Sequence, residues 1–142
     1  MNGQLTATGN TIVPVSLNQL IRSLVENTQP LAIQHHTKVV NEVDGRLLLG
    51  EGASQLSSVL EELLDAVILN SREGDIHITA DRFKDMVLLH IEERNNYNGY
   101  ALSFSVGSLE PDAARIGGHI SIEGERKKEA TIQFSFPGQF AA

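Results

Sequence analysis

The sequence predicts an α+β two-layer α/β sandwich, a mixed and mostly antiparallel sheet with helices on one face. Two segments, one from Leu17 to Val25 and one from Leu56 to Ile68, repeat apolar residues at helical spacing. The second half alternates apolar and polar residues with the period of half-buried strands. The resulting order is β-α-β-α-β-β-(β)-α-β-β, with no internal repeat, linker or low-complexity tract. A length of 142 residues fits one domain over 1–142, since a chain of roughly 150 residues buries about 70% of its unfolded surface.

Residues 1–10 are small and polar and are expected to be frayed. Thr11 to Val15 reads as a short strand, with Pro14 suited to an edge. Ser16 and Gln19 have the spacing of a capping box, which starts the first helix. Leu17, Leu20, Ile21, Leu24 and Val25 form its apolar stripe. Pro30 predicts a kink or break, with Leu31 and Ile33 continuing the apolar face. Lys38 to Val43 reads as a strand, Asp44-Gly45 as a turn, and Leu47 to Leu49 as a short apolar run. The strongest helix spans about Gly52 to Asn70, and Ser71 to Gly74 closes it. Ile76, Ile78 and Ala80 alternate with His77, Thr79 and Asp81 in a strand. A turn over Arg82 to Asp85 leads to a second strand, Met86 to Glu92. Asn95 to Gly99 is a loop by composition. Ala101 to Val106 reads as a strand, and Glu110 to Arg115 as one or two helical turns ended by Gly117-Gly118. Ile120 and Ile122, with Ile132, Phe134 and Phe136, form a last hairpin around Glu125 to Glu129.

Composition excludes several function classes. There are 11 Lys and Arg against 18 Asp and Glu, for a formal net charge of −7, which argues against general nucleic-acid binding and against direct insertion into an anionic membrane. With no Cys there is no disulfide, thiolate metal site or Cys nucleophile. Aromatic residues are 5% of the chain and Trp is absent, so no base-stacking platform is expected. No stretch approaches the roughly 20 apolar residues of a membrane span, and Met1 to Asn10 lacks the basic and apolar regions of a signal peptide. A cytoplasmic protein is expected, whole or as a piece of a longer one.

Three strings carry a resemblance. They are "VSLNQLIRSLVENTQPLAIQHH", "LLLGEGASQLSSVLEELLDAVILNSREGDIHITA" and "RIGGHISIEGERKKEATIQFSFP". In this order and spacing, over Val15 to Pro137, the chain resembles the ATP-binding domain of sensor histidine kinases, in the GHKL ATPase superfamily. The resemblance implies a histidine kinase-like ATPase fold, ATP and Mg²⁺ as cofactors, and a place in two-component signalling. It also implies a phosphoacceptor His on a helical segment ahead of this domain, and the residues before Ser16 are too few for one.

The family's nucleotide motifs are worn. Its N-box, E/N-L-L-x-N-A, aligns without a gap with "ELLDAV". Glu62 takes the first polar position, which orients water or phosphate in the family. Ala66 takes the place of the Mg²⁺-binding Asn, and a methyl group cannot ligate a hard cation. Asp65 is the neighbouring oxygen donor that would hold Mg²⁺ if ATP bound. Leu69 stands at a place often held by a phosphate-contacting Lys. The adenine box D-x-G-x-G is closest to "ERNNY", with Glu93 at the Asp and Asn95 and Tyr97 at the glycines. Glu is one methylene longer than Asp, and Tyr97 puts a ring where a missing Cβ was useful. Between Gly99 and Glu110 there is no G-x-G-L box and little room for a lid. Glu62, Asp65, Ala66, Glu93, Asn95 and Tyr97 thus outline a vestigial nucleotide cleft, with Glu62 its one candidate for catalysis.

Blander readings stand beside these. Glu61, Glu62 and Asp65 also fit a solvated helix face, and Glu92-Glu93 a solvated strand end. His35-His36 reads as a solvated helix end, and His77, His90 and His119 as strand-surface or turn residues. Arg126 to Lys128 reads as an exposed hairpin tip. Three functions remain open. One is a degenerate domain acting by contact with a protein partner, such as a response regulator receiver domain or other kinase segments, with no cofactor. Another is a divergent but working ATP–Mg²⁺ domain supplying phosphate to a His elsewhere. The last is a ligand-sensing module with an altered cleft.

Overall fold

The computed structural model describes residues 15–50 and 53–138. A two-residue strand, β1 (Val15–Ser16), leads into helix α1 (Leu17–Gln34). Ser16 caps that helix by accepting a hydrogen bond from the Gln19 backbone N–H at 3.4 Å. Strands β2 (Lys38–Asn41) and β3 (Leu48–Leu49) follow, then helix α2 (Ala53–Leu69). After it come strands β4 (Asp75–Phe83) and β5 (Met86–Glu93), helices α3 (Gly99–Gly107) and α4 (Glu110–Arg115), and strands β6 (His119–Glu123) and β7 (Ala130–Pro137).

The main sheet has the order β2-β4-β5-β7-β6; β2 and β4 are parallel, and the other neighbours are antiparallel. A separate antiparallel pair joins β1 to β3. The mixed, mostly antiparallel sheet and its helical layer are the architecture the sequence predicts.

One face of the sheet is the core. Ile76, Ile78, Val87, Leu89, Ile91, Ile132, Phe134 and Phe136 are buried in one cluster with Leu17, Ile21 and Leu24 of α1 and the Leu56–Ile68 stripe of α2. The other face is polar. His77 hydrogen-bonds Glu42 at 3.0 Å and Asp75 at 2.9 Å, and His90 meets Gln133 at 3.0 Å across neighbouring strands.

Four expectations need revision. Helix α1 runs through Pro30 to Gln34 without a break. The proline costs one backbone hydrogen bond, and the buried Ala32 beyond it keeps the helix on the core. Ile33 does not continue the apolar face and is 68% exposed. The stretch from Ala101 to Val106 is helix, not strand. Asn98 caps α3 by accepting from the Ala101 N–H at 3.2 Å, and Leu102 and Val106, one helical turn apart, are the residues it buries. The strand β2 stops at Asn41, and Val43 is buried beyond its end. The expected strand over 11–14 and the start of α2 at residue 52 lie outside the described residues.

Candidate functional site

The candidate residues are strung along the polar side of α2 and at the end of β5. The apolar stripe of α2 turns Leu63, Leu64, Val67 and Ile68 into the core, so Glu61, Glu62, Asp65 and Ala66 face away from it. Glu62 is exposed and meets Asp112 of α4, which Arg115 also pairs with. The shared hydrogen bond with Asp112 raises the Glu62 carboxyl above its ordinary pKa; burial and the like charge act in the same direction, and Arg115 opposes them. Burial first, then the charge of Glu61, raises Asp65. Between α2 and α4 lies a groove of about 630 Å³, bordered by Glu62, Asp112, Arg115 and Ile116. Helix α4 is tied down beside it by Glu110, which accepts from the Ile120 N–H at 2.7 Å.

Farther along α2 the helix is bound to its surroundings. The Asn70 side chain donates to the Ala66 carbonyl at 2.8 Å and to Ser105 Oγ of α3 at 3.2 Å. Ser71 Oγ lies 2.7 Å from the Val67 carbonyl and 2.6 Å from Glu93 Oε2.

Glu93 is the main surprise. It is not a solvated strand end: the residue is 2% exposed. One carboxylate oxygen accepts from the backbone N–H groups of Asp75 and Asn95, both at 2.9 Å, and the other faces Ser71. The turn after α2 is shaped around it. A Cβ on Gly74 would stand 2.4 Å from Glu93 Oε2, so only glycine lets the chain pass this close. Glu92, its neighbour, faces the other way and pairs with Arg94 at 3.1 Å. Asn95, at the first glycine of the adenine box, donates its side-chain amide to the Glu73 carbonyl at 2.8 Å. Tyr97, at the second glycine, is exposed beneath the Arg72 guanidinium.

His35 also departs from a purely solvated helix end. It is half-buried, with Nδ1 2.9 Å from the Ser71 carbonyl, and so joins the ends of α1 and α2. His36 is exposed. A cleft of about 440 Å³ opens here, between these histidines, Leu69, Arg72 and Tyr97.

Several participants escaped the sequence reading. Ser71 and Gly74 carried no motif. Asp112 meets Glu62 only through the fold. Helix α3 begins Gly99-Tyr100-Ala101-Leu102, one methyl group away from the family's G-x-G-L string. Reading this stretch as a strand hid it, although Asn98 three residues ahead of Ala101 is a cap signal. Gly99 itself is held by packing: a Cβ there would lie 1.6 Å from the Glu125 carbonyl oxygen. Asn96 fastens the same hairpin tip by donating to the carbonyls of Glu125 at 3.0 Å and Lys127 at 2.9 Å. Among the described residues no cluster of His and acidic side chains is arranged to hold a metal ion, and no helix is long and apolar enough to cross a membrane.

No protein-family model and no curated protein matches the chain by sequence. Solved structures do match. Full-length ShkA in complex with AMPPNP aligns at TM-score 0.74 with 18% identity, over 93% of this chain and 32% of that one. The Acinetobacter baumannii histidine kinase AdeS aligns at 0.73 with 11% identity, over 92% of this chain and 68% of its own. The catalytic domain of the histidine kinase ThkA aligns at 0.71 with 18% identity, over 90% and 96% of the two chains. ThkA in complex with the response regulator TrrA aligns at 0.63 with 19% identity, over 89% and 42%. The chain therefore spans about a third of ShkA and nearly all of the ThkA catalytic domain. It has the fold of a histidine kinase catalytic domain.

Proposed function

We propose that this domain serves two-component signalling in the cytoplasm by contact with a protein partner, and not by turnover of ATP. The observation that carries this reading is the engagement of Glu93. The residue at the adenine-reading position is buried and spends its carboxylate on Ser71, Asp75 and Asn95 of its own chain. Three donors of its own chain already occupy that carboxylate in a site that is 2% exposed, so a base amino group would have to open the packing around it or displace one of them. A methyl group at Ala66 offers Mg²⁺ no oxygen, and among the described residues Glu62 and Asp65 belong to no cluster of His and acidic side chains arranged to hold a metal ion. The residues present therefore fit ATP–Mg²⁺ badly. A partner of the receiver-domain class is the natural candidate, since ThkA, with the same fold, has been seen bound to a response regulator.

A second reading, a divergent ATP–Mg²⁺ domain, draws on one observation, the Gly99-Tyr100-Ala101-Leu102 start of α3. Thermal denaturation with millimolar ATP and Mg²⁺ separates the two. Binding at 100 times Kd would add about 2.7 kcal/mol to stability. The contact reading expects an unchanged melting temperature; a saturable rise overturns it.

A further inference from the structure

The cations of this acidic chain are not all used alike. Lys38, Arg46, Arg94 and Arg115 each pair with a carboxylate. Arg72 and Arg126 lie instead over aromatic rings, 5.7 Å from the centroid of Tyr97 and 5.6 Å from that of Tyr100. Tyr97 and Tyr100 are exposed, and Phe104, one helical turn beyond Tyr100, is 82% exposed. Tyr100 and Phe104 form an exposed ridge along α3 and Tyr97 stands in the loop just ahead of it, with a guanidinium over each tyrosine and Lys127 and Lys128 exposed next to Arg126.

A guanidinium stacked on a ring keeps its edge N–H groups free for bidentate bonds to a carboxylate. An aromatic centre within a cationic rim, on a chain of net charge −7, is complementary to an acidic surface with an apolar side chain at its middle. The ridge is also held in place before any partner arrives. Asn98 caps α3, Ser105 joins it to Asn70, and Gly99 sits against the hairpin tip. A preorganised anchor loses little entropy on binding.

We propose that the ridge of Tyr100 and Phe104, with Tyr97 ahead of it and Arg72 and Arg126 at its rim, is the docking surface for a protein partner that presents carboxylates around an apolar side chain. This deepens the contact reading given above and rests on it. The test uses the full chain and two kinds of probe. One is a helical peptide carrying Glu around Leu and Phe, paired with a copy in which Lys replaces Glu. The other is a set of purified receiver domains.

The acidic peptide is expected to bind, to weaken as salt rises, and to perturb the NMR signals of Tyr97, Tyr100 and Phe104; the Lys copy is not. Arg72→Glu with Arg126→Glu, or Phe104→Ala, is expected to cost tenfold or more in affinity. Equal binding of both peptides, or unchanged affinity in these variants, overturns the proposal. Should the charge reversals lower the melting temperature, Arg72→Gln with Arg126→Gln replaces them with the same expectation. Receiver domains that bind all variants equally refute this surface while leaving the contact reading intact. An acidic peptide that docks on the ridge when no receiver domain binds supports the surface and refutes the receiver as partner.

Discussion

Replacing Glu93 separates a structural carboxylate from one kept for a nucleotide. Glu93→Ala strands the N–H groups of Asp75 and Asn95 in a site that is 2% exposed. Each orphaned donor costs about 1–3 kcal/mol, so the pair costs about 4 kcal/mol. An unfolding entropy of about 2.1 cal/mol/K per residue gives about 0.3 kcal/mol/K for 142 residues, and the melting temperature falls by about 13 °C. Glu93→Gln behaves differently. Its amide oxygen still accepts from both backbone groups, and its NH₂ donates to Ser71 Oγ, which donates onward to the Val67 carbonyl 2.7 Å away. That change is expected to cost about 1–2 kcal/mol, less than Ala, because both backbone donors keep their acceptor and only the second amide N–H of Gln is left without one. Thermal and urea denaturation followed by circular dichroism read both variants. A Glu93→Ala variant that melts within about 3 °C of the parent, roughly the shift of 1 kcal/mol in a chain this long, or a Gln variant as damaged as the Ala one, refutes the structural role.

Gly99→Ala would push a methyl group onto the Glu125 carbonyl, and the β6–β7 tip must move; a loss of about 2–3 kcal/mol in urea unfolding is expected, in the range for overpacking. Pro30→Ala restores an N–H donor within α1, and a gain of about 1–2 kcal/mol is expected after the entropy of the freed unfolded chain is subtracted from the roughly 3 kcal/mol helix penalty of proline. Glu62 holds its proton more tightly folded than unfolded, so its contribution weakens stability as pH rises from the ordinary carboxylate range through the raised value. Glu62→Gln is therefore expected to raise the melting temperature at pH 7 by a degree or two, as suits an exposed pair worth well under 1 kcal/mol, and to leave it unchanged at pH 3. A fall at pH 7 contradicts the pairing with Asp112.

Much of the fold was legible in the sequence because long periodic segments leave little choice. Seven apolar residues of α2 repeat on one stripe, and all seven are buried. Short segments were less secure. Ala-Leu-Ser-Phe-Ser-Val alternates like a strand, yet a cap at Asn98 and burial of Leu102 and Val106 make it a helix, at the cost of exposing Phe104. Tertiary packing outweighed local pattern there. Pro30 does not break α1, since buried Leu24 and Thr28 before it and Ala32 after it hold the helix on the core. Glu93 did carry a signal. Val87, Leu89 and Ile91 face inward, and the strand period sets Glu93 on that same face. What no local string revealed was its partners: Ser71 and Asp75 lie on the far side of a strand and a turn. The pairing of Glu62 with Asp112 was hidden likewise, because only the fold brings α4 to α2.

Titration of the ¹⁵N-labelled chain with ATP and Mg²⁺, followed residue by residue, bears most directly on whether this domain acts through contact alone. Signals of Ala66, Glu93 and Gly99 to Leu102 should stay fixed at millimolar nucleotide. Saturable shifts converging on those residues would mean that the cleft still takes ATP, and the contact account would be wrong.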